Sequence, residues 1–231
     1  MIHPIQFVSL GPGDAELITL KGLKALQNAD IIYCPGTSGK DGLQTSRSAS
    51  IINELDINTS VQIFHVPMSK DRSEAIQVYD NLCKKIFTHY QSGKKIAVVA
   101  EGDSGFYSSV QYLYDKLATI QVPLERIAGI PAFIAAGAWA GLHIVKQEEH
   151  FHIIPGNTTE EELSELIQKG YTIVIMKMSQ SQDIIRKFII KHPEMNYHYF
   201  ENIGLLNEFY TSDRETIRKR DFPYFSLLIV K

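Results

Sequence analysis

The stretch FVSLGPGDAELITLKGLKALQNADIIYC, Phe7 to Cys34, decides how this chain is read. A short apolar run ends in Gly11-Pro12-Gly13-Asp14. Thr19 then caps a segment whose Leu20, Leu23 and Leu26 recur on one helical face, and a second apolar run, Ile31–Cys34, closes the unit. Strand, turn, helix and strand in this order open an α/β sheet covered by helices. The two glycines permit a tight turn and close backbone approach, and Asp14 adds an acceptor. The same tetrapeptide also serves elsewhere as a plain turn, and here it is neither GxGxxG nor a P-loop, which would need a lysine.

Working outward, the alternation continues. A loop, Pro35–Gly42, leads to a helix ending at Asn53. VQIFHVPM is a strand, Asp71–Tyr90 a long helix stopped by Ser92-Gly93, KKIAVVAEGD a buried strand, and Phe106–Leu117 a helix. Helices are then expected over Ala132–Gly141, Glu160–Lys169 and Ser181–Lys191, with strands in HFHIIPG, YTIVIMKM, YHYFENI and YFSLLIVK. Counting elements divides the chain into two α/β domains, 1–118 and 119–231, with mostly parallel or mixed sheets. No Pro- or Ser-rich linker marks the boundary near Ala118–Val122.

Composition narrows the function classes. The 231 residues are 44% hydrophobic and 21% charged, as in an ordinary globular protein. The net charge of -3, with no basic block to neutralise a phosphate backbone, argues against nucleic acid as the main partner. No cationic segment precedes an apolar stretch at the N-terminus. The longest nearly apolar run, Ile127–Val145, is interrupted by Pro131 and His143, so no membrane partner is expected. Cys34 and Cys83 form no CxxC, which makes a reducing cytoplasmic location the default. No metal is expected either: the eight histidines lack HExxH spacing, and His150 and His152 have no third ligand. Glu160-Glu161-Glu162 fits a first helical turn, and Gly-x-Ser-x-Gly is missing.

Ligands of open α/β sheets sit at the carboxyl ends of strands. Besides Gly11–Asp14, two further turns have that character. AEGDSGFYSS, Ala100–Ser109, places two carboxylates, two glycines and two aromatic rings directly after a buried strand. It reads either as a polar binding turn or as a helix start capped by Asp103 or Ser104. AGIPAFIAAGAWAG, Ala128–Gly141, lets backbones approach closely, for a ligand or for core packing, and Trp139 reads as core or interface.

In this order the runs VSLGPGDAELITLKGLKALQNADIIY, VVAEGDSGFYSSVQYLYDKL and IAGIPAFIAAGAWAGLHI resemble the tetrapyrrole (corrin/porphyrin) methylase family. GFYSSVQYLYDKL, TIVIMKM and YFSLLIVK are most similar to its precorrin-2 C(20)-methyltransferase branch. The resemblance implies two α/β domains with a cofactor trough between them, usually in a homodimer. It also implies methyl transfer from S-adenosylmethionine to a precorrin-2 or cobalt-factor II type tetrapyrrole in cobalamin biosynthesis. On that pattern Gly11, Pro12, Gly13 and Asp14 line the substrate side, while Gly102, Asp103, Phe106, Tyr107, Ala132, Phe133 and Met178 hold the cofactor. The chain departs from the family pattern at two places. Ser104 replaces the proline of Gly-Asp-Pro, and Ala128-Gly129-Ile130-Pro131-Ala132 replaces Pro-Gly-Val-Ser-Ser, removing two hydroxyls.

Methylation of a ring carbon depends on alignment and charge placement, with a base for the departing proton. Asp103, Lys177 and Glu201 fall at the expected ends of three strands and form the candidate catalytic set; they also read as a cap, a snorkelling lysine and a solvated loop acid. The alternatives are a diphthine synthase or rRNA methyltransferase type of the same family, and a catalytically silent tetrapyrrole- or nucleoside-binding protein.

Overall fold

The computed structural model describes residues 3–38, 44–67 and 73–231. The chain divides into two compact units, Met1–Pro131 and Ala132–Lys231. In the first, β1 (Ile5–Ser9) is followed by a 3₁₀ turn (Ala15–Leu17) and α1 (Leu20–Gln27). Thr19 caps α1 as expected, accepting the Gly22 N–H at 3.1 Å. Then come β2 (Ile31–Ser38), β3 (Gln44–Thr45), α2 (Arg47–Glu54), β4 (Ser60–His65), α3 (Ser73–Gln91), β5 (Ile96–Ala100), α4 (Gln111–Thr119) and β6 (Leu124–Ile127). The strands β4, β2, β5, β1 and β6 lie side by side and parallel, and β3 pairs antiparallel with the end of β2.

Alternation along the strands sorts their side chains onto two faces. Phe7, Tyr33 and Val98 pack with Tyr79, Leu82 and Ile86 of α3 and Leu113 and Leu117 of α4. Val8, Ile32, Ala97 and Val99 pack on the other face with Leu26 of α1 and Ile51 and Ile52 of α2. Full burial of one such side chain is worth about 1.5–3 kcal/mol, so each face is held by many comparable contributions. Cys34 belongs to the second cluster; burial pushes its thiol up to about 12, which leaves it unreactive.

The second unit carries α5 (Ala132–Trp139), β7 (Phe151–Ile154), α6 (Glu160–Gln168), β8 (Thr172–Met176), a 3₁₀ turn (Met178–Gln180), α7 (Gln182–Lys191), β9 (Tyr197–Glu201), β10 (Phe209–Thr211), α8 (Arg214–Lys219) and β11 (Ser226–Val230). Its sheet runs β10-β9-β11-β8-β7 and is mixed, only β7 and β8 being adjacent and parallel.

Two α/β units, one with a parallel and one with a mixed sheet, agree with the expected fold class. Several boundaries differ. The division falls after Pro131 and not at 118, because Leu124–Ile127 forms β6 and pairs with β1. With Pro123 before it and a charged pair inside it, LERI lacks the apolar run that marks the other strands. The helix expected from Phe106 begins only at Gln111, with Val110 at its cap and no side-chain cap bond. β2 runs on through Ser38 where a loop was expected, and residues 39–43 and 68–72, on which parts of that loop, of VQIFHVPM and of the next helix fall, lie outside the described residues. β10 and α8, of three and six residues, are too short to show periodicity in the sequence.

Candidate active site

The connection from β1 leads to α1 on one face of the first sheet, whereas the connection from β5, its neighbour, leads to α4 on the other. Loops that leave adjacent strand ends toward opposite faces open a crevice there, the usual ligand position in such sheets. Gly11–Asp14 and Glu101–Gly105 are these loops.

Their geometry is fixed by backbone pairing. Gly11 N–H donates to the Gly102 carbonyl at 3.1 Å and Gly102 N–H to the Gly11 carbonyl at 2.6 Å. Both glycines have positive φ, +82° and +67°, which a side chain would strain. At Gly102 no described atom beyond its two chain neighbours lies within 4 Å of where a Cβ would stand, so its outer side faces open space. Asp14 caps the 3₁₀ turn by accepting the Glu16 N–H at 2.8 Å.

Asp103 does not cap a helix. Its Oδ1 accepts the Gly105 N–H at 2.8 Å and its Oδ2 the Gly129 N–H at 2.7 Å, so the carboxylate clasps the turn after β5 to the turn after β6. Beneath it lies Ser9, fully buried at the end of β1. Ser9 Oγ donates to the Ile127 carbonyl at 2.7 Å, accepts the Ser104 N–H at 2.8 Å, and stands 3.1 Å from Ser104 Oγ and 3.5 Å from Asp103 Oδ2. Gly129 fits only without a side chain: an added Cβ would overlap Ser9 Cβ and meet the Gly102 carbonyl oxygen at 2.7 Å.

On the other side of the same strand end, Glu101 pairs with Arg47 Nε of α2 at 3.5 Å and accepts from Ser48 Oγ at 3.4 Å. Burial pushes its carboxyl above the ordinary range, against the Arg47 charge and the Ser48 bond. Phe106 and Tyr107 follow with rings 4.7 Å apart, edge to face; Tyr107 is half exposed and holds a positive φ of +49°.

In the second unit, β8 and β9 end on either side of the start of β11. Lys177 N–H donates to the Ser226 carbonyl at 2.9 Å, and Ser226 is in register with Glu201. Lys177 is left-handed, and its ammonium lies 5.9 Å from the Tyr224 ring centre. Glu201 is not a solvated loop acid: it accepts from Arg220 Nε at 2.6 Å and Nη2 at 2.9 Å and from Tyr199 Oη at 2.6 Å. Burial raises its pKa, but these bonds and the Arg220 charge outweigh that and hold the carboxyl below its usual value. Met178 is buried in the unit's core; Phe133, at the start of α5, is also buried, with its ring centre 6.3 Å from that of Phe151. Ala132 is half buried at the first position of α5.

The first unit therefore brings Gly11, Gly102 and Asp103 together, and the second places Lys177, Met178 and Glu201 along one sheet end. Glu101 and Gly129 were legible only as members of the turns Ala100–Ser109 and Ala128–Gly141, without the partners Arg47 and Asp103; Ser9 went unread, although it stands as a hydroxyl inside the apolar run FVSL. Among the described residues no cluster of three or more His, Cys, Asp or Glu forms a metal site, and no helix is long and apolar enough to cross a membrane.

A chain of two α/β units, one with a parallel and one with a mixed sheet, belongs to the wide class of α/β proteins. Within that class the chain belongs to the tetrapyrrole (corrin/porphyrin) methylases, whose family profile matches residues 4–217. It is 26% identical to a precorrin-2 C(20)-methyltransferase of Sinorhizobium sp over 96% of this chain and 93% of that protein. It is 27% identical to a cobalt-precorrin-2 C(20)-methyltransferase of Salmonella typhimurium over 74% and 71% of the two chains. Its fold matches that of the cobalt precorrin-4 methyltransferase CbiF, with a TM-score of 0.74 at 18% identity over 98% of this chain and 94% of the other. It also matches a uroporphyrin-III C-methyltransferase from Thermus thermophilus complexed with S-adenosylhomocysteine, with a TM-score of 0.66 at 16% identity over 99% and 97%.

Proposed function

We propose that this chain is an S-adenosylmethionine-dependent C-methyltransferase acting on a tetrapyrrole of the precorrin-2 or cobalt-factor II type in cobalamin biosynthesis. The observation that carries the reading is the match along nearly the whole chain to a precorrin-2 C(20)-methyltransferase. When bound, S-adenosylmethionine supplies an electrophilic methyl on a sulfonium centre.

The residues of the β5 turn fit such a group. Gly102 turns a bare α-carbon toward open space, so a ligand can reach the backbone there, and the neighbouring Asp103 places a carboxylate beside a cation. Phe106 and Tyr107 supply apolar surface next to it. Asp103 serves by holding the turn, since both its oxygens already accept backbone N–H groups. Gly11–Asp14 forms the neighbouring wall on which the macrocycle is recognised. Of the second unit's candidates, Lys177 offers the ammonium for a substrate carboxylate, Glu201 acts through Arg220 as a rigid frame, and Ala132, Phe133 and Met178 contribute backbone groups. The assembly is taken to be a homodimer, which light scattering tests.

The deciding experiment incubates the protein anaerobically with methyl-labelled S-adenosylmethionine and, separately, precorrin-2, cobalt-factor II and uroporphyrinogen III. Label is expected in one of the first two. Transfer only to uroporphyrinogen III, or to none, overturns the assignment.

A further inference from the structure

We propose that Ser9 is a positioning residue of this site, the hub that keeps the three strand ends β1, β5 and β6 in the geometry that the cofactor turn requires. The inference rests on the proposed function for its ligand, but its geometry stands on the first unit alone.

Ser9 is the last residue of β1, flanked by β5 and β6, and its side chain is fully buried. A buried hydroxyl needs partners. Those of Ser9 come one from each neighbouring strand end: the Ser104 N–H from the turn after β5 and the Ile127 carbonyl from the end of β6. Ser104 directly follows Asp103, and Ile127 lies two residues before Gly129. The 2.7 Å bond between Asp103 and the Gly129 N–H is thus bracketed at both ends by one serine oxygen. The approach leaves no slack, since Gly129 meets Ser9 Cβ and the Gly102 carbonyl so closely that no side chain fits.

A hydroxyl that only filled space in the core would give stability and nothing more. One that sets the spacing of the turns controls where the Gly102 and Gly129 backbone groups stand, and so how well the ground-state cofactor is bound. Loss of such binding raises KM and leaves kcat unchanged.

The test uses this chain with Ser9→Ala and, as a control in α3, which gives no residue to this cluster, Ile86→Val. Amide hydrogen exchange is read at Gly129, and KM for S-adenosylmethionine and kcat are measured with saturating tetrapyrrole. Ser9→Ala is expected to speed exchange at Gly129 about tenfold or more and to raise KM by a similar factor, with kcat within about twofold. Ile86→Val should leave Gly129 exchange and KM near wild type. The proposal is overturned if Ser9→Ala leaves Gly129 exchange unchanged, or if Ile86→Val moves KM as far as Ser9→Ala does. Should the wild type transfer no methyl group, the functional assignment fails, and Gly129 exchange alone decides the role of Ser9.

Discussion

Asp103→Asn separates two accounts of the same residue. As a helix cap, Asp103 would be replaceable by Asn at little cost, because the two rank together at N-caps. As a clasp it is not. The carboxylate accepts two backbone N–H groups with its two oxygens, from Gly105 and Gly129. Asn has one oxygen, so whichever way its amide turns, an NH₂ faces an N–H donor. One hydrogen bond to a charged group is lost, worth about 1.5–3 kcal/mol. The Gly105 side is exposed and water relieves part of the conflict, which points to the lower part of that range. At roughly 2–4 °C per kcal/mol for a chain of this size, a loss of about 2 kcal/mol lowers Tm by roughly 4–8 °C. Asp103→Ala, losing both bonds, should cost more. Calorimetric unfolding and urea titration of the three proteins measure the series. An Asn variant that melts with the wild type would refute the clasp.

The second unit makes a parallel case. Arg220→Met strips Glu201 of its bidentate partner, and because the Arg220 side chain is 36% exposed the expected loss is about 2 kcal/mol, below the 3–5 typical of a fully buried pair; urea midpoints check it. The pH dependence has a definite sign. The Glu201 carboxyl is held below its usual value, so its contribution is complete above an unfolded pKa of about 4.3 and fades as pH falls through the lower folded value. Wild type should therefore lose stability more steeply than Glu201→Gln between about pH 5 and pH 3, and equal slopes would count against the ion pair. Gly129→Ala, with its new methyl against Ser9 and the Gly102 carbonyl, should destabilise by about 1–3 kcal/mol through overpacking, measured as a lowered Tm.

Much of the frame was legible because it is written in short-range signals. FVSL, IIYC and IAVVA are apolar runs of strand length bounded by turn residues, and LKGLKALQ follows a capping threonine, so β1, α1, β2 and β5 could be placed from the residues. β6 could not, since LERI earns its strand conformation by pairing with β1. The site was legible in part. Glycines at strand ends pointed to Gly11 and Gly102, where positive φ is needed. The role of Asp103 depended on Gly129, and that of Glu201 on Arg220, each a partner 26 or 19 residues away in sequence. Such long-range partners leave no periodic trace, so a carboxylate after a strand reads alike as cap, clasp or catalyst.

If the open side of the β5 turn receives the cofactor, a side chain at Gly102 must interfere with it, and Gly102→Ala supplies one. The added methyl enters space where no described atom beyond its two chain neighbours lies within 4 Å, at a φ of +67° that costs an L-residue about 1–2 kcal/mol. Titration calorimetry with S-adenosylhomocysteine, at a temperature where both proteins are folded, compares the variant with wild type. The prediction is clear binding to wild type and at least about tenfold weaker binding to the variant, a loss of about 1.4 kcal/mol or more. Equal affinity for both would contradict it and place the cofactor elsewhere.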